Sequence, residues 1–341
     1  MKILVIGGTN FIGPPVVRQL SAMGHEVTVF HRGKTKTELP LDVNEIIGDR
    51  SLLPNFKSKF QQVSPDVVLD MICYTEEAAH ITVNAFKGIA QRVVAISSMD
   101  VYRAYGVILG TENDAIAVPI TEDSPLRQQL YPFREMPSRP LNAPLDYDKI
   151  LVERVVMASE LPGTIVRLPM VYGENDPLHR LFPYIQRMDE NRPVILLPES
   201  IAKWRGSYGY VENVAYGIAL AVTDKRAAGR IYHVADLEVL TEAERIARVG
   251  EVAGWRGKIV IVGKEHLPNE WKLPVNTEQD WFVGTTRIRQ ELGYSEIISP
   301  ASALRRTIDW ERTHPPQESQ LFNVSGLLDY TDEDAILLKL P

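Results

Sequence analysis

Apolar residues in the first half of the chain come in short, unbroken runs. Lys2–Ile6, Glu26–Phe30, Asp66–Asp70, Arg92–Ser97 and Thr164–Arg167 are each rich in Val, Ile or Leu. Runs of this length with β-branched residues predict strands. They are continuous rather than alternating, which predicts strands buried on both faces. Between them, Val16–Leu20, Thr75–Phe86 and Lys149–Ser159 show helical spacing. Strands separated by helices imply a doubly wound α/β unit with a parallel sheet, placed here at residues 1–175. After Arg167 the rhythm changes. Pro169, Pro177, Pro183, Pro193 and Pro198 punctuate a loop-rich stretch with one amphipathic helix near Leu178–Met188. A helix at Val211–Val222 and a strand at Arg230–Val234 predict a return of residues 209–236 to the sheet. The rest of 176–341 reads mainly as a smaller, substrate-binding lobe with helices near Thr241–Ala253, Thr286–Glu291 and Ser302–Arg312. The tail after Pro315 is acidic and takes no role from its sequence.

Composition narrows the function classes. The 341 residues are 45% hydrophobic and 24% charged, as in ordinary globular chains rather than disordered ones. A net charge of −7 gives no electrostatic case for nucleic acid or an anionic membrane surface. The lone Cys73 forms no internal disulfide, and the seven histidines show no metal-ligand spacing, so no metal is expected. The apolar stretch Ile3–Val17 is broken by three Gly, two Pro and an Asn, too interrupted for a bilayer span and unlike a signal peptide. A cytoplasmic protein is the expectation. Ser97-Ser98 lacks the Gly-x-Ser-x-Gly frame of a nucleophile elbow.

The motif carrying most chemistry is Gly7-Gly8-Thr9-Asn10-Phe11-Ile12-Gly13, between the first strand and first helix. Glycines there permit a tight turn and let backbone amides approach a pyrophosphate at a helix N-terminus. The cofactor implied is NAD(P). An acid after the second strand would mark a preference for NAD. Here the strand runs into His31-Arg32-Gly33, and Arg32 suits a 2′-phosphate, tilting the choice toward NADP.

These residues resemble the extended, atypical short-chain dehydrogenases/reductases of the NAD-dependent epimerase/dehydratase type, over nearly the whole chain. The resemblance implies a Rossmann-like fold with a C-terminal substrate lobe. Gly48-Asp49-Arg50 is similar to that family's adenine-side segment. Leu69–Cys73, with Met71 at its centre, matches the strand bordering the cofactor. Ser97–Tyr102 resembles its serine strand end, and Arg167–Gly173, with Pro169 and Val171, a later signature. Tyr208–Val214 and Thr285–Tyr294 resemble segments of its second half. Asn10 stands where the middle glycine is usual, as in an atypical subgroup that includes sugar dehydratases, reductases and chloroplast RNA-binding proteins. The implied activity is oxidoreduction, epimerisation or dehydration at a secondary alcohol or ketone of a small molecule, a nucleotide sugar being the expected class. A homodimer is left open.

In that family a Tyr four residues before a Lys is the general acid/base, and the ammonium lowers the phenol's pKa and holds the nicotinamide ribose. Lys149 matches the lysine, with Glu153 its expected ion-pair partner one turn on. Ser98 matches the hydroxyl that orients the substrate. The tyrosine position, however, holds Leu145. Tyr147 precedes Lys149 by two, about 200° around an ideal helix, and faces away unless the helix begins late, which Pro144 permits. Asp100 falls where sugar dehydratases carry an acid. Two proton carriers, Tyr147 and Asp100, therefore stay open. Leu145 also leaves a non-catalytic NAD(P)-binding sensor as the alternative function. RNA binding is a third reading, disfavoured by the net charge.

Overall fold

Seven parallel strands carry the molecule, and the order in which they lie creates its main crevice. The computed structural model describes residues 1–136, 139, 143–268, 275–317 and 330–340. In chain order the elements are β1 (Lys2–Ile6), α1 (Gly13–Ala22), β2 (Glu26–His31), β3 (Asn44–Ile47), α2 (Lys57–Val63), β4 (Val67–Asp70), α3 (Glu76–Phe86), β5 (Arg92–Ser98), α4 (Arg103–Ile108) and α5 (Lys149–Ala158). There follow β6 (Gly163–Leu168), β7 (Met170–Tyr172), α6 (Phe182–Asp189), β8 (Val194–Pro198), α7 (Glu199–Ala202), β9 (Tyr208–Tyr210), α8 (Val211–Thr223) and β10 (Arg230–His233). The last are α9 (Glu242–Ala253), β11 (Lys258–Val262), α10 (Thr286–Leu292), α11 (Pro300–Thr313) and α12 (Tyr330–Leu337).

The large sheet runs β10-β6-β5-β4-β1-β2-β3. All its pairings are parallel, with Ile6 opposite Phe30 on one side and Asp70 on the other. From β1 the chain moves one way to β2 and β3, then returns to β4 on the other side. Their carboxyl ends thus border a topological switch point, where doubly wound folds bind ligands. Period-two alternation divides the core: Ile3 and Val5 pack with Val16, Val17 and Leu20 of α1 and with Val214 and Ile218 of α8. Leu4 and Ile6 pack on the opposite face with Phe60, Val83, Phe86, Val152 and Val156. This is the Rossmann-like architecture the sequence pattern predicts.

Two small parallel sheets complete the described residues, β7 with β9 and β8 with β11. The second departs from the sequence reading, which takes 194–198 as part of a loop-rich stretch. Val194–Pro198 is buried along its whole length, and its partner, β11, lies over 60 residues away. Burial in a pairing so distant has no local signal. The acidic tail also acquires a place: Glu333 of α12 pairs with Arg187 at 2.7 Å, and Ile336 joins Val194, Leu196 and Val262. No helix among the described residues is long and apolar enough to cross a membrane.

Candidate active site

A cleft of about 680 Å³ opens at the switch point. Its floor is the glycine turn, and the geometry there tolerates glycine alone. A Cβ at Gly13 would lie 2.4 Å from the carbonyl carbon of Gly8, and Gly7 and Gly8 adopt φ of 94° and 82°. The first turn of α1 has no amide to spare, because Pro14 and Pro15 carry no N–H and Gly13 N donates to the Asn10 carbonyl at 2.9 Å, so the amides of the glycine turn itself are the ones placed to meet an anion. Thr9, Asn10, Phe11 and Ile12 line the same cleft. These features fit the pyrophosphate of a dinucleotide.

Around the second strand, the sequence-predicted residues divide by what they touch. His31 Nδ1 accepts from the Gly33 amide at 3.2 Å, so its proton sits on Nε2 and is donated to Glu45 at 2.6 Å. Arg32 lines the cleft, is exposed and has no ion-pair partner among the described residues. Asp49 caps the following turn, accepting from the amide and hydroxyl of Ser51. Those bonds, with help from Arg32 and Lys34, hold its carboxyl below the ordinary value. Arg50 borders the cleft, but its guanidinium turns inward: it pairs with both oxygens of Asp70 at 3.2 and 3.0 Å and donates to the Ala78 carbonyl and Thr82. Met71, Pro169 and Val171 line the wall. Lys34, Thr35, Tyr74, Asp176 and Arg180 share the lining and were not anticipated; they lie in loops, outside the motifs that guided the sequence reading.

The proton-bearing groups gather at the end of β5. Helix α5 begins at Lys149, with Asp148 as its N-cap accepting from Ile150 N at 2.8 Å. Tyr147 therefore lies in a lead-in, bridged antiparallel to Thr75 and held by its amide's bond to the Pro144 carbonyl. The 200° separation of a helix does not apply. Released from that geometry, the Tyr147 hydroxyl donates to Asp100 Oδ2 at 2.6 Å. Its ring lies against Phe133, with centroids 5.0 Å apart. Leu145, at the family's tyrosine position, is exposed. Ser98 lines the cleft; its oxygen accepts from the Asp100 amide at 3.2 Å and its hydroxyl also bonds to the Asp100 carboxyl.

Two expectations about Lys149 are corrected. Glu153 is not its partner: the carboxylate accepts from Arg167 Nε at 2.9 Å, Arg167 Nη2 at 2.6 Å and Ser97 Oγ at 2.6 Å. The buried guanidinium of Arg167 reaches it from β6, while the ammonium of Lys149 turns to the carbonyls of Cys73 and Ile96 at 2.7 and 2.9 Å. Nor is the Tyr147 phenol lowered. Burial first, then the Asp100 carboxylate, raises it well above its ordinary value. Lys149 lies 5.9 Å from the ring centroid. Asp100 is raised too, by burial, against the opposing pull of Arg127, the Tyr147 bond and Lys149. One oxygen of Asp100, Oδ1, is buried without a hydrogen-bond partner. Burial pushes the Cys73 thiol up to about 12, removing it as a nucleophile.

The chain is 25% identical over 311 residues to a 2'-dehydrokanamycin reductase of Streptomyces kanamyceticus, covering 88% of this chain and 80% of that protein. It is 23% identical over 363 aligned residues to the chloroplast stem-loop binding protein of 41 kDa b of Arabidopsis thaliana, covering 99% and 84%. Among solved structures, a dTDP-glucose 4,6-dehydratase from Bacillus anthracis in complex with NAD superposes with a TM-score of 0.66 at 15% identity, over 92% of this chain and 97% of that one. That likeness is one of fold. A sequence profile matches residues 3–235, and with the glycine turn and the cleft it shows that the chain belongs to the NAD dependent epimerase/dehydratase family.

Proposed function

We propose that the chain is an NAD(P)-dependent oxidoreductase that reduces a ketone of a sugar or oxidises the corresponding secondary alcohol. The observation that carries this is the Tyr147 hydroxyl donating to a buried Asp100, two residues along the chain from Ser98, which lines the cleft. The bound nicotinamide supplies or takes the hydride; the protein must move one proton. Both Tyr147 and Asp100 resist ionisation on their own. A relay avoids free phenolate. In oxidation the phenol oxygen accepts the substrate's hydroxyl proton as its own proton passes to Asp100 Oδ2. In reduction the same two protons move the other way, and the substrate oxygen becomes a hydroxyl. Ser98, which lines the cleft, holds that oxygen by turning its hydroxyl from Asp100 to the substrate. Lys149, committed to two carbonyls, lies near the pair, with burial lowering its pKa against the opposing pull of Cys73, Asp100 and Asp70. The resemblance to a reductase supports the reductive direction.

The test is turnover of NADPH on a panel of keto sugars. Tyr147→Phe is expected to lower the rate on the order of 10²–10⁴, the scale of a lost general acid/base, with cofactor affinity unchanged. Asp100→Asn should do the same if the relay operates. Full activity in Tyr147→Phe with loss in Asp100→Asn would hand the proton to Asp100 alone. Full activity in both would place the proton on another group, and no turnover by the wild-type protein on any of the keto sugars, with NADP still bound, would favour the non-catalytic NAD(P)-binding reading prompted by Leu145.

A further inference from the structure

A second cavity, of about 480 Å³, lies on the other face of β7. Val171 lines the cofactor cleft while the next residue, Tyr172, lines this cavity, as alternation along a strand requires. Its walls are mainly apolar, including Tyr172, Tyr208, Leu240 and Leu304. Its volume suits a small ligand. One chain of contacts connects it to the end of β5: Gly206, in its lining, bridges to Trp281, whose indole donates to the carbonyl of Met99, between Ser98 and Asp100.

The charges of this cavity decide what it can hold. Two arginines line it, and both are committed: Arg245 to Glu242, and Arg248 to Glu238. Of the lining carboxylates, Glu238 is paired with Arg248 and Glu296 with Arg289. Asp236 has no ion-pair partner among the described residues. It accepts from the Tyr210 amide at 3.3 Å and is bonded by the Tyr172 hydroxyl. A nucleoside diphosphate would meet no uncommitted cation among the described lining residues: freeing Arg245 means breaking a largely buried pair, while Arg248 is held by Glu238 at the exposed rim. A cation would instead find an unpaired carboxylate at the base of an aromatic wall.

We propose that this cavity seats an amine-bearing sugar ring, with its ammonium on Asp236 and its faces against Tyr172 and Tyr208. The assignment rests on the reading of the chain as a sugar oxidoreductase and names the substrate class as an amino sugar carrying no nucleotide. In support, burial without a contacting cation raises the Asp236 carboxyl to about 7, and a bound ammonium would supply the missing charge.

Binding to the full chain with saturating NADP, measured by calorimetry, tests it without turnover. The probes are the glucosamine disaccharide, its N,N′-diacetylated form and UDP-glucose. The first two differ in the charge on nitrogen and in the acetyl groups, and the Asp236→Asn variant separates the two effects. The free amine should bind at least about 10-fold more tightly than the acetylated form, a charge-assisted bond's worth. Asp236→Asn should erase that preference while NADP affinity stays the same. Equal binding of the two disaccharides, tighter binding of UDP-glucose, or a preference that survives Asp236→Asn overturns the proposal. The wild-type comparison decides even if the variant misfolds. Tyr147→Phe should bind all three as wild type does, so failure of the relay and failure of this assignment are separately visible.

Discussion

At position 32 the side chain offered to the ribose end of the cleft is an exposed guanidinium with no carboxylate holding it elsewhere among the described residues. Its neighbour Arg50 has the same chemistry and the opposite fate, locked on Asp70 and on backbone carbonyls. Of these two arginines, Arg32 is therefore the one available for a 2′-phosphate, with the exposed Lys34 beside it in the same lining. Arg32→Ala is expected to weaken NADP about 10–100-fold while leaving NAD within a factor of about two, the loss of a charge-assisted hydrogen bond. Paired titrations of NAD and NADP against both proteins check this. Wild-type affinities that are equal, with neither changed in the variant, would remove Arg32 from cofactor choice. Residues such as Gly13, Arg32 and Ser98 were legible in the sequence because each sits at the end of a strand whose pattern is unmistakable. The inward turn of Arg50 was not, since the carboxylate that captures it lies 20 residues further along.

The decisive element is α5, and what matters is where it starts. Asp148 accepts from Ile150 N and Tyr131 N, and its buried carboxyl lies 3.5 Å from Arg127. Capping at 148 starts the helix at Lys149, two residues after Tyr147, and leaves that tyrosine outside it, turned toward Asp100. Asp148→Ala should cost about 0.5–2 kcal/mol for the cap alone, plus the uncovering of Arg127. It should also lower turnover while cofactor affinity stays near wild type, because only the lead-in shifts. Denaturant unfolding read beside steady-state rates separates the two effects. A loss of stability with full activity would mean that Tyr147 is held by its ring contacts and not by the cap. The position of α5 was plain from its apolar spacing, and Pro144 hinted at the late start. The pairing of Glu153 with Arg167 was not readable, because i, i+4 spacing proposes Lys149 while only the sheet brings Arg167 across from β6. In the same way β8 went unseen: a proline-edged run of five residues becomes a strand only because β11 lies beside it.

Across the whole molecule, the acidic tail closes on a basic patch formed far away in the chain. Glu333 is buried to 1% and reaches Arg187, itself 4% exposed, and Arg192. Asp334 meets Arg192 at the surface. Around these pairs Ile336 fills the cluster of Val194, Leu196 and Val262, so α12 covers the small β8–β11 sheet. Glu333→Ala leaves the Arg187 guanidinium in a site built for a carboxylate, and removing one partner of a buried pair costs about 3–5 kcal/mol. Ile336→Ala should cost about 2–5 kcal/mol by leaving a cavity. Asp334→Ala, at an exposed pair, should cost far less, and raised salt should erase its effect while sparing that of Glu333. Denaturant unfolding of the three variants at low and high salt gives the ranking. The sheet carrying the cofactor cleft is remote from this contact in the fold's element order, so NADP affinity should be unchanged in every variant that remains folded. Equal, salt-sensitive losses for Glu333→Ala and Asp334→Ala would show that the tail is held by surface charge and that α12 is not part of the core.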